Sequence, residues 1–230
     1  MAKNSAPIPG GEPVVVVGLG RFGGAVADSL LRLGHEVLGI EQKASLVQKW
    51  SDRLTHVVQA DATDEAALDQ LGVDTFSRAV VGIGQDIEAS VLTVSTLVDV
   101  GVADVWAKAI TKKHGKILHR VGAAHVVYPE TAMGERVAHM VSGAMIDYIE
   151  FDDGFSIART KAPRESHDQT LGESALRKKY GITVVGVKRP GEDFTYARPE
   201  TTVHRRDQLI VSGATDLVER FCALTQRPSD

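Results

Sequence analysis

The chain has 230 residues, with 26 Lys and Arg against 30 Asp and Glu, a net charge of -4 and a pI near 6.1. That length suits one large domain or two modest ones, and the acidic balance provides no global field that would draw in nucleic acid. A single cysteine, Cys222, excludes an internal disulfide framework and suits a reducing compartment; no apolar run approaches the roughly 18 residues of a membrane span, so the chain reads as soluble and cytoplasmic.

Residues 1–12 hold one lysine and two prolines with no apolar core, and read as a disordered tail rather than a signal peptide. Val14-Val15-Val16-Val17 then reads as a strand buried on both faces. Gly18-Leu19-Gly20-Arg21-Phe22-Gly23 follows as G-x-G-x-x-G, and an amphipathic run (Val26, Leu30, Leu31, Leu33) follows that. In this strand–turn–helix context Gly18 permits a tight turn, Gly20 lets a phosphate approach the backbone, and Gly23 lets the helix pack on the strand. The helix start offers N–H groups and a positive dipole end to an anion. Gly34 closes the helix, and residues 36–40 form a second strand ending in Glu41. An acid there can accept hydrogen bonds from a ribose diol and repel a 2′-phosphate.

A helix over 44–50 and a third strand over 55–59 come next, with Ala60-Asp61-Ala62-Thr63 at the carboxyl edge of the sheet. Residues 64–71 form a helix ended by Gly72, and 78–83 a fourth strand followed by Gly84-Gln85-Asp86. Asp86 caps a helix over 87–100 whose apolar residues (Val91, Val94, Leu97, Val98) keep helical spacing. A strand over 104–108, a helix over 112–121 and a sixth strand over 124–127 lead to Tyr128-Pro129-Glu130. Strands alternating with helices in this way make an α/β doubly wound parallel sheet, with no room inside it for a catalytic domain.

Residues 133–146 read as a linking helix with a methionine-rich stripe (Met133, Val137, Met140, Val141, Ala144, Met145). The stripe suits either packing on its own sheet or packing against a partner subunit. From Tyr148 the pattern becomes a small α+β lobe. It has a strand over 155–160, a capping box at Thr170-Leu171-Gly172-Glu173 opening a helix to Lys179, strands over 182–188 and 208–212, and a helix over 214–224. The expected domains are therefore 13–130, a linking helix over 131–147, and 148–230.

Catalytic furniture is missing: the sequence has no nucleophile elbow, no Tyr-x-x-x-Lys pair and no His/Cys cluster with metal-ligand spacing, and His167 and His204 sit in polar, turn-like contexts. A nucleotide fold so equipped reads as a sensor and not an enzyme, with an NAD-dependent oxidoreductase or a soluble NADH redox sensor as the alternative.

The glycine turn, Ala60-Asp61-Ala62-Thr63, Ile83-Gly84, Trp106-Ala107-Lys108-Ala109 and Val121-Gly122-Ala123…Tyr128-Pro129-Glu130…Met133-Gly134 stand in an order that resembles the KtrA/TrkA family. These are the cytosolic RCK (regulator of potassium conductance) subunits of bacterial potassium uptake systems, and the resemblance runs from about residue 13 to 221. It implies a Rossmann-like N-lobe, a crossover helix and a small C-lobe, in homodimers assembled as an octameric ring beneath an integral-membrane, KtrB/TrkH-like potassium channel subunit. It implies ATP and ADP as ligands, with NAD(H) as a further one, no nucleic acid partner, and a location at the inner face of the membrane. By motif match Gly18, Leu19, Gly20, Arg21, Phe22 and Gly23 would cradle phosphates, with Arg21 facing the terminal ones. Glu41, Gln42 and Lys43 would hold the ribose region, while Asp61, Ala62, Ile83, Gly84 and Gln85 would line the adenine side. Lys108, Ala109, Ile110 and His114 would border the phosphates, and Glu130 would meet a divalent cation, Mg or Ca, at the dimer interface. Each of these last has a plainer reading as well: Lys108 as a strand-end lysine, His114 as a helix-face histidine, Glu130 as a helix-start acid. Glutamate at 41 and alanine at 107 depart from the family pattern. The resemblance further implies that the C-lobe can take cyclic di-AMP at its own dimer interface, for which Arg177, Ile182 and Val184 have suitable side chains.

Overall fold

Four valines in a row place β1 (Gly11–Val17) at the centre of the first sheet, where both faces of a strand are covered. The computed structural model describes residues 11–142, 145–151 and 153–224, and the chain divides into two units, Met1–Glu130 and Thr131–Asp230. The tail expected over 1–12 lies outside the described residues except for Gly11 and Glu12, which belong to β1.

In the first unit β1 is followed by α1 (Arg21–Arg32), β2 (His35–Glu41), α2 (Ala44–Trp50), β3 (His56–Gln59), α3 (Glu65–Gln70), β4 (Arg78–Val81), α4 (Ile87–Asp99), β5 (Asp104–Lys108), α5 (Lys112–Arg120) and β6 (His125–Val127). Every strand pair is parallel and the order is β3-β2-β1-β4-β5-β6. One face packs Val14, Val16, Val37, Ala27, Trp50 and Leu54 beneath α1 and α2. The other packs Val15, Val17, Ile40, Leu68, Val94, Leu97 and Leu118 beneath α3, α4 and α5. The chain builds outward from β1 to β3, then returns to place β4 on β1's other side. The loops after β1 and β4 therefore part at this reversal and open a crevice at the carboxyl edge.

Asp86 caps α4 through Ala89 N–H (2.9 Å) and Asp64 caps α3 through Ala66 N–H (3.0 Å), as side chains that satisfy orphan amides should. The fourth strand stops at Val81, two residues earlier than the sequence pattern suggests. Gly82 N–H still bonds Val17 C=O (2.8 Å), but a Cβ on Gly82 would stand 2.9 Å from Gly18 O and 3.0 Å from Gly23 Cα. The backbone there is wedged against the glycine turn and leaves the ladder.

The linking helix α6 runs Pro129–Val141, starting four residues before the expected 133 and ending five before 146. Pro129 preorganises the first turn and Glu130 complements the dipole there, the helix-start role that is the plainer reading of this acid. Met133, Val137 and Val141 of the stripe are 53%, 42% and 80% exposed, while Met140 is half-buried. Ala144 of that stripe lies outside the described residues, while Met145 is buried in the second unit's core.

The second unit continues with β7 (Asp147–Glu150), β8 (Phe155–Lys161), β9 (Gln169–Thr170), α7 (Leu171–Ser174), α8 (Leu176–Tyr180), β10 (Thr183–Lys188), β11 (Phe194–Tyr196), β12 (Thr202–Val203), β13 (Gln208–Ala214) and α9 (Thr215–Leu224). Five strands form an antiparallel sheet in the order β11-β10-β13-β8-β7, and β9 pairs β12. Val218, Phe221 and Cys222 of α9 are buried with Leu209, Val211 and Ala158 of that sheet. The capping box forms, with Thr170 Oγ1 accepting from Glu173 N–H (3.2 Å) and Glu173 Oε2 accepting from Thr170 N–H (2.9 Å). The single helix expected to Lys179 is broken, because Ala175 at φ +50° turns the chain left-handed between α7 and α8. Strands β7, β9, β11 and β12 escape the sequence pattern; none exceeds four residues, and β11 is exposed throughout.

Candidate functional site

The glycine turn follows from three backbone constraints. Gly18 has φ +83°, which L side chains rarely adopt. A Cβ on Gly23 would fall 1.9 Å from Gly18 O, so only glycine lets α1 pass the turn. At Gly20 nothing stands within 4 Å of where a Cβ would be, leaving open space beside the start of α1. No side chain caps α1 and no acid lies in its first turn, so its leading N–H groups and positive dipole face that space.

At the end of β2, Glu41 is only 9% exposed, and both its oxygens accept backbone N–H groups: Oε2 from Leu19 (2.8 Å) and Oε1 from Lys43 (3.0 Å). The acid expected to read a ribose is thus also the tie between the glycine turn and the β2 turn. Gln42 gives its carbonyl to Gln59 Nε2 (3.0 Å). Asp61 folds onto its own turn, Oδ1 accepting from Thr63 N–H (3.0 Å) and Oγ1 (2.8 Å), and these bonds, with one from Gln42, hold its carboxyl below its ordinary range. Ala62 is buried beside it. Ile83 packs over Gly18, while Gln85 is exposed at the crevice rim.

Lys108 leaves β5 and crosses the carboxyl edge. Its side chain is 12% exposed, its Nζ lies 5.6 Å from the centroid of the Phe22 ring, and it pairs with Glu130 Oε1 at 2.5 Å. A Cβ on Gly84 would stand 3.2 Å from Lys108 Cε and Nζ, so glycine there makes room for the lysine. The hydrogen bond from Lys108, then the charges of Lys108 and Arg21, hold the Glu130 carboxyl below its ordinary range. Arg21 itself is exposed and makes no hydrogen bond or ion pair among the described residues. The glycine turn, Glu41, Lys108 and Glu130 thus come to one edge of one unit, with three positive features (helix start, Arg21, Lys108) around an open space. That arrangement suits a polyanionic ligand with a hydroxyl-bearing group near Glu41.

Other expected residues sit differently. His114 is 1% exposed: its Nδ1 accepts from Ile110 N–H (3.4 Å), its Nε2 has no partner, and burial pushes its pKa down. It supports the turn after β5 from within and does not face the open edge. Ala109 is likewise buried, whereas Ile110 is 44% exposed. In the second unit Ile182 is fully buried in the core, so it cannot floor a surface site; Arg177 remains exposed. Among the described residues no three His, Cys, Asp or Glu side chains gather as a metal site, and Glu130 is the one carboxylate beside Lys108. Sequence reasoning missed Gly82, Phe22's place under Lys108, and Trp50; a second glycine at the β4 edge, two residues before Gly84, was the available signal for the first.

Residues 14–129 match the TrkA-N domain and 157–226 the TrkA-C domain. The chain is 34% identical over 207 residues to Ktr system potassium uptake protein A of Bacillus subtilis, covering 90% of this chain and 93% of that one. It is 36% identical to Ktr system potassium uptake protein C of the same organism, covering 90% and 94%. In fold it resembles the GsuK channel (TM-score 0.68, 17% identity), covering 100% of this chain and 41% of that one, so it spans less than half of that channel chain's length. The TrkA-N domain of the Escherichia coli inner membrane protein ybaL superposes at a TM-score of 0.52 with 18% identity, covering 56% of this chain and 96% of that one. Among the described residues no helix is long and apolar enough to cross a membrane. With both domain types in order, and two Ktr proteins matched across nine-tenths of the chain, this protein belongs to the TrkA-N/TrkA-C family of Ktr-type potassium uptake proteins.

Proposed function

We propose that this chain is the regulatory subunit of a potassium uptake system, binding adenine nucleotides at the β1/β4 crevice to gate a membrane-embedded potassium channel subunit. The observation that carries the reading is the open glycine turn with an exposed Arg21, in a chain so similar to the Ktr uptake proteins. In this reading residues 13–130 form the nucleotide domain, α6 is the link, and 148–230 form the C-terminal domain. Phosphates lie on Gly18–Gly23 and Lys108, the ribose near Glu41–Lys43, and adenine by Asp61, Ala62 and Ile83–Gln85. ATP and ADP are the ligands that switch activity, because a γ-phosphate adds charge that Arg21 can engage and ADP lacks it. NAD(H) shares the same adenosine and diphosphate and competes there; one solved fold relative is the GsuK channel bound to NAD.

The exposed stripe of α6 supports a homodimer joined by this helix, with dimers closing into an octameric ring on the cytoplasmic side of the membrane. Glu130 then supplies one ligand of a divalent cation, Mg or Ca, completed by the phosphates and by a second copy of the chain. Cyclic di-AMP is the proposed ligand of the C-terminal domain, read by Arg177 and its basic neighbours. The test is calorimetry of the full chain with ATP, ADP, NAD⁺ and NADH, together with rescue of potassium uptake when it is co-expressed with a Ktr-type membrane subunit. Tight ADP and ATP binding with ATP-dependent rescue is expected. Absence of nucleotide binding, or turnover of NAD⁺ with a hydroxy acid, overturns the reading.

A further inference from the structure

Leu19, the variable residue inside G-x-G, is held by side chains at both of its peptide groups. Its N–H donates to Glu41 Oε2 (2.8 Å), and its carbonyl accepts from Trp50 Nε1 (3.2 Å). Its own side chain is 1% exposed, against Gly39. Trp50 comes from the end of α2, is 5% exposed, and lies flush on α1: a Cβ on Gly24 would stand 2.5 Å from its Cζ2. The Arg53 guanidinium covers the indole at 4.4 Å from the ring centroid, and Asp28 of α1 anchors Arg53 at 2.5 Å. The ring is therefore locked between two helices.

The bond to the Leu19 carbonyl has a consequence for the next amide. Leu19 C=O and Gly20 N–H belong to one planar trans peptide, so they point in opposite directions. With the carbonyl turned to the indole, Gly20 N–H points away from the Trp50 ring. A peptide ending in glycine rotates at little steric cost, so its orientation needs an outside hold. Gly18 N–H is already spent on Ile40 C=O (2.8 Å) and Leu19 N–H on Glu41, so among the described residues Gly20 N–H is the first donor of the turn without a partner.

We propose that Trp50 is a positioning residue for phosphate binding: by holding the Leu19 carbonyl it aims the Gly20 N–H at the phosphate. This rests on the nucleotide reading of the crevice. It assigns to α2, outside the glycine turn, a part in recognising the phosphates and none in recognising adenosine.

The test uses the full chain labelled with 15N at the indoles; the only other tryptophan, Trp106, is removed by Trp106→Phe to assign the signal. ADP, AMP and inorganic pyrophosphate should shift the Trp50 indole resonance, and adenosine should not. Trp50→Phe should bind ADP and AMP about three- to tenfold more weakly, the scale of one neutral hydrogen bond, with adenosine affinity unchanged. Equal weakening of adenosine and ADP, or weakening of neither, overturns the inference. An indole signal unmoved in protein that binds ADP also overturns it, and this arm decides if Trp50→Phe does not fold. Should the unaltered chain bind no adenine nucleotide, it is the nucleotide reading that has failed, and the inference falls with it.

Discussion

Replacing Glu41 by glutamine separates two roles that a carboxylate at the end of β2 can play. As a surface ribose reader it would contribute nothing to the empty protein. Here it is 9% exposed and accepts two backbone amides, Leu19 N–H at 2.8 Å and Lys43 N–H at 3.0 Å. Glutamine is isosteric but offers a single acceptor oxygen, so whichever way the amide turns, its NH₂ faces one of those N–H groups. The loss is one hydrogen bond to a charged group, about 1.5–3 kcal/mol, with a buried donor left unpaired. For a unit on the order of 130 residues, each kcal/mol moves the midpoint by roughly 3–5 °C, so a fall of about 5–15 °C is expected without ligand. Differential scanning calorimetry with and without saturating ADP reads this directly. ADP should restore less of the midpoint in Glu41→Gln than in the unaltered chain, since both the turn and the ribose contact are weakened. An unchanged midpoint in the empty protein, with only ADP affinity lost, would refute the tie between Glu41 and the glycine turn.

Arg21→Ala should leave the melting temperature within about 1 °C, since Arg21 has no partner among the described residues, yet weaken ATP by about 1.5–3 kcal/mol and ADP by less; equal losses for ATP, ADP and AMP in calorimetry would remove it from the terminal phosphate. Glu130→Gln should keep nucleotide binding and abolish the increment that Mg²⁺ or Ca²⁺ adds to ATP-dependent potassium uptake; an increment equal to that of the unaltered chain rules out Glu130 as a cation ligand. Asp207→Ala should destabilise the second unit by about 1.5–3 kcal/mol, because this 1% exposed carboxylate accepts from Arg189 Nε (3.0 Å), Arg189 Nη2 (3.1 Å) and His204 N–H (2.8 Å), while the Arg189 left behind is partly solvated. Burial alone would raise the Asp207 pKa, but Arg189 and the His204 amide outweigh it and lower it. Its contribution is therefore fully present above its unfolded pKa near 4 and is lost as pH falls through the lower folded value. A denaturation series from pH 7 to pH 3 that leaves the gap between Asp207→Ala and the unaltered chain constant would contradict this.

Local signals sufficed for the doubly wound sheet, because each rests on neighbours in sequence. Val14–Val17 read as a two-faced buried strand, Gly18 at φ +83° and Gly23 against Gly18 O admit no side chain, and Asp86 caps the helix that follows it. The glycine turn and Glu41 were legible for the same reason, as residue types placed at the ends of adjacent strands. Pairings made across the fold were not legible. Glu41 reaches back 22 residues and Trp50 31 residues to the same leucine, Lys108 meets Glu130 across 22, and Arg189 meets Asp207 across 18. Such bonds depend on which strands and helices become neighbours, and periodicity does not encode that. The buried His114 and Ile182, both expected at surfaces, show the same limit: a residue's type suggests what it can do, but whether it faces water is decided by what packs over it. The short strands β9, β11 and β12 exist because partners elsewhere in the second unit supply the hydrogen bonds that two or three residues cannot supply for themselves.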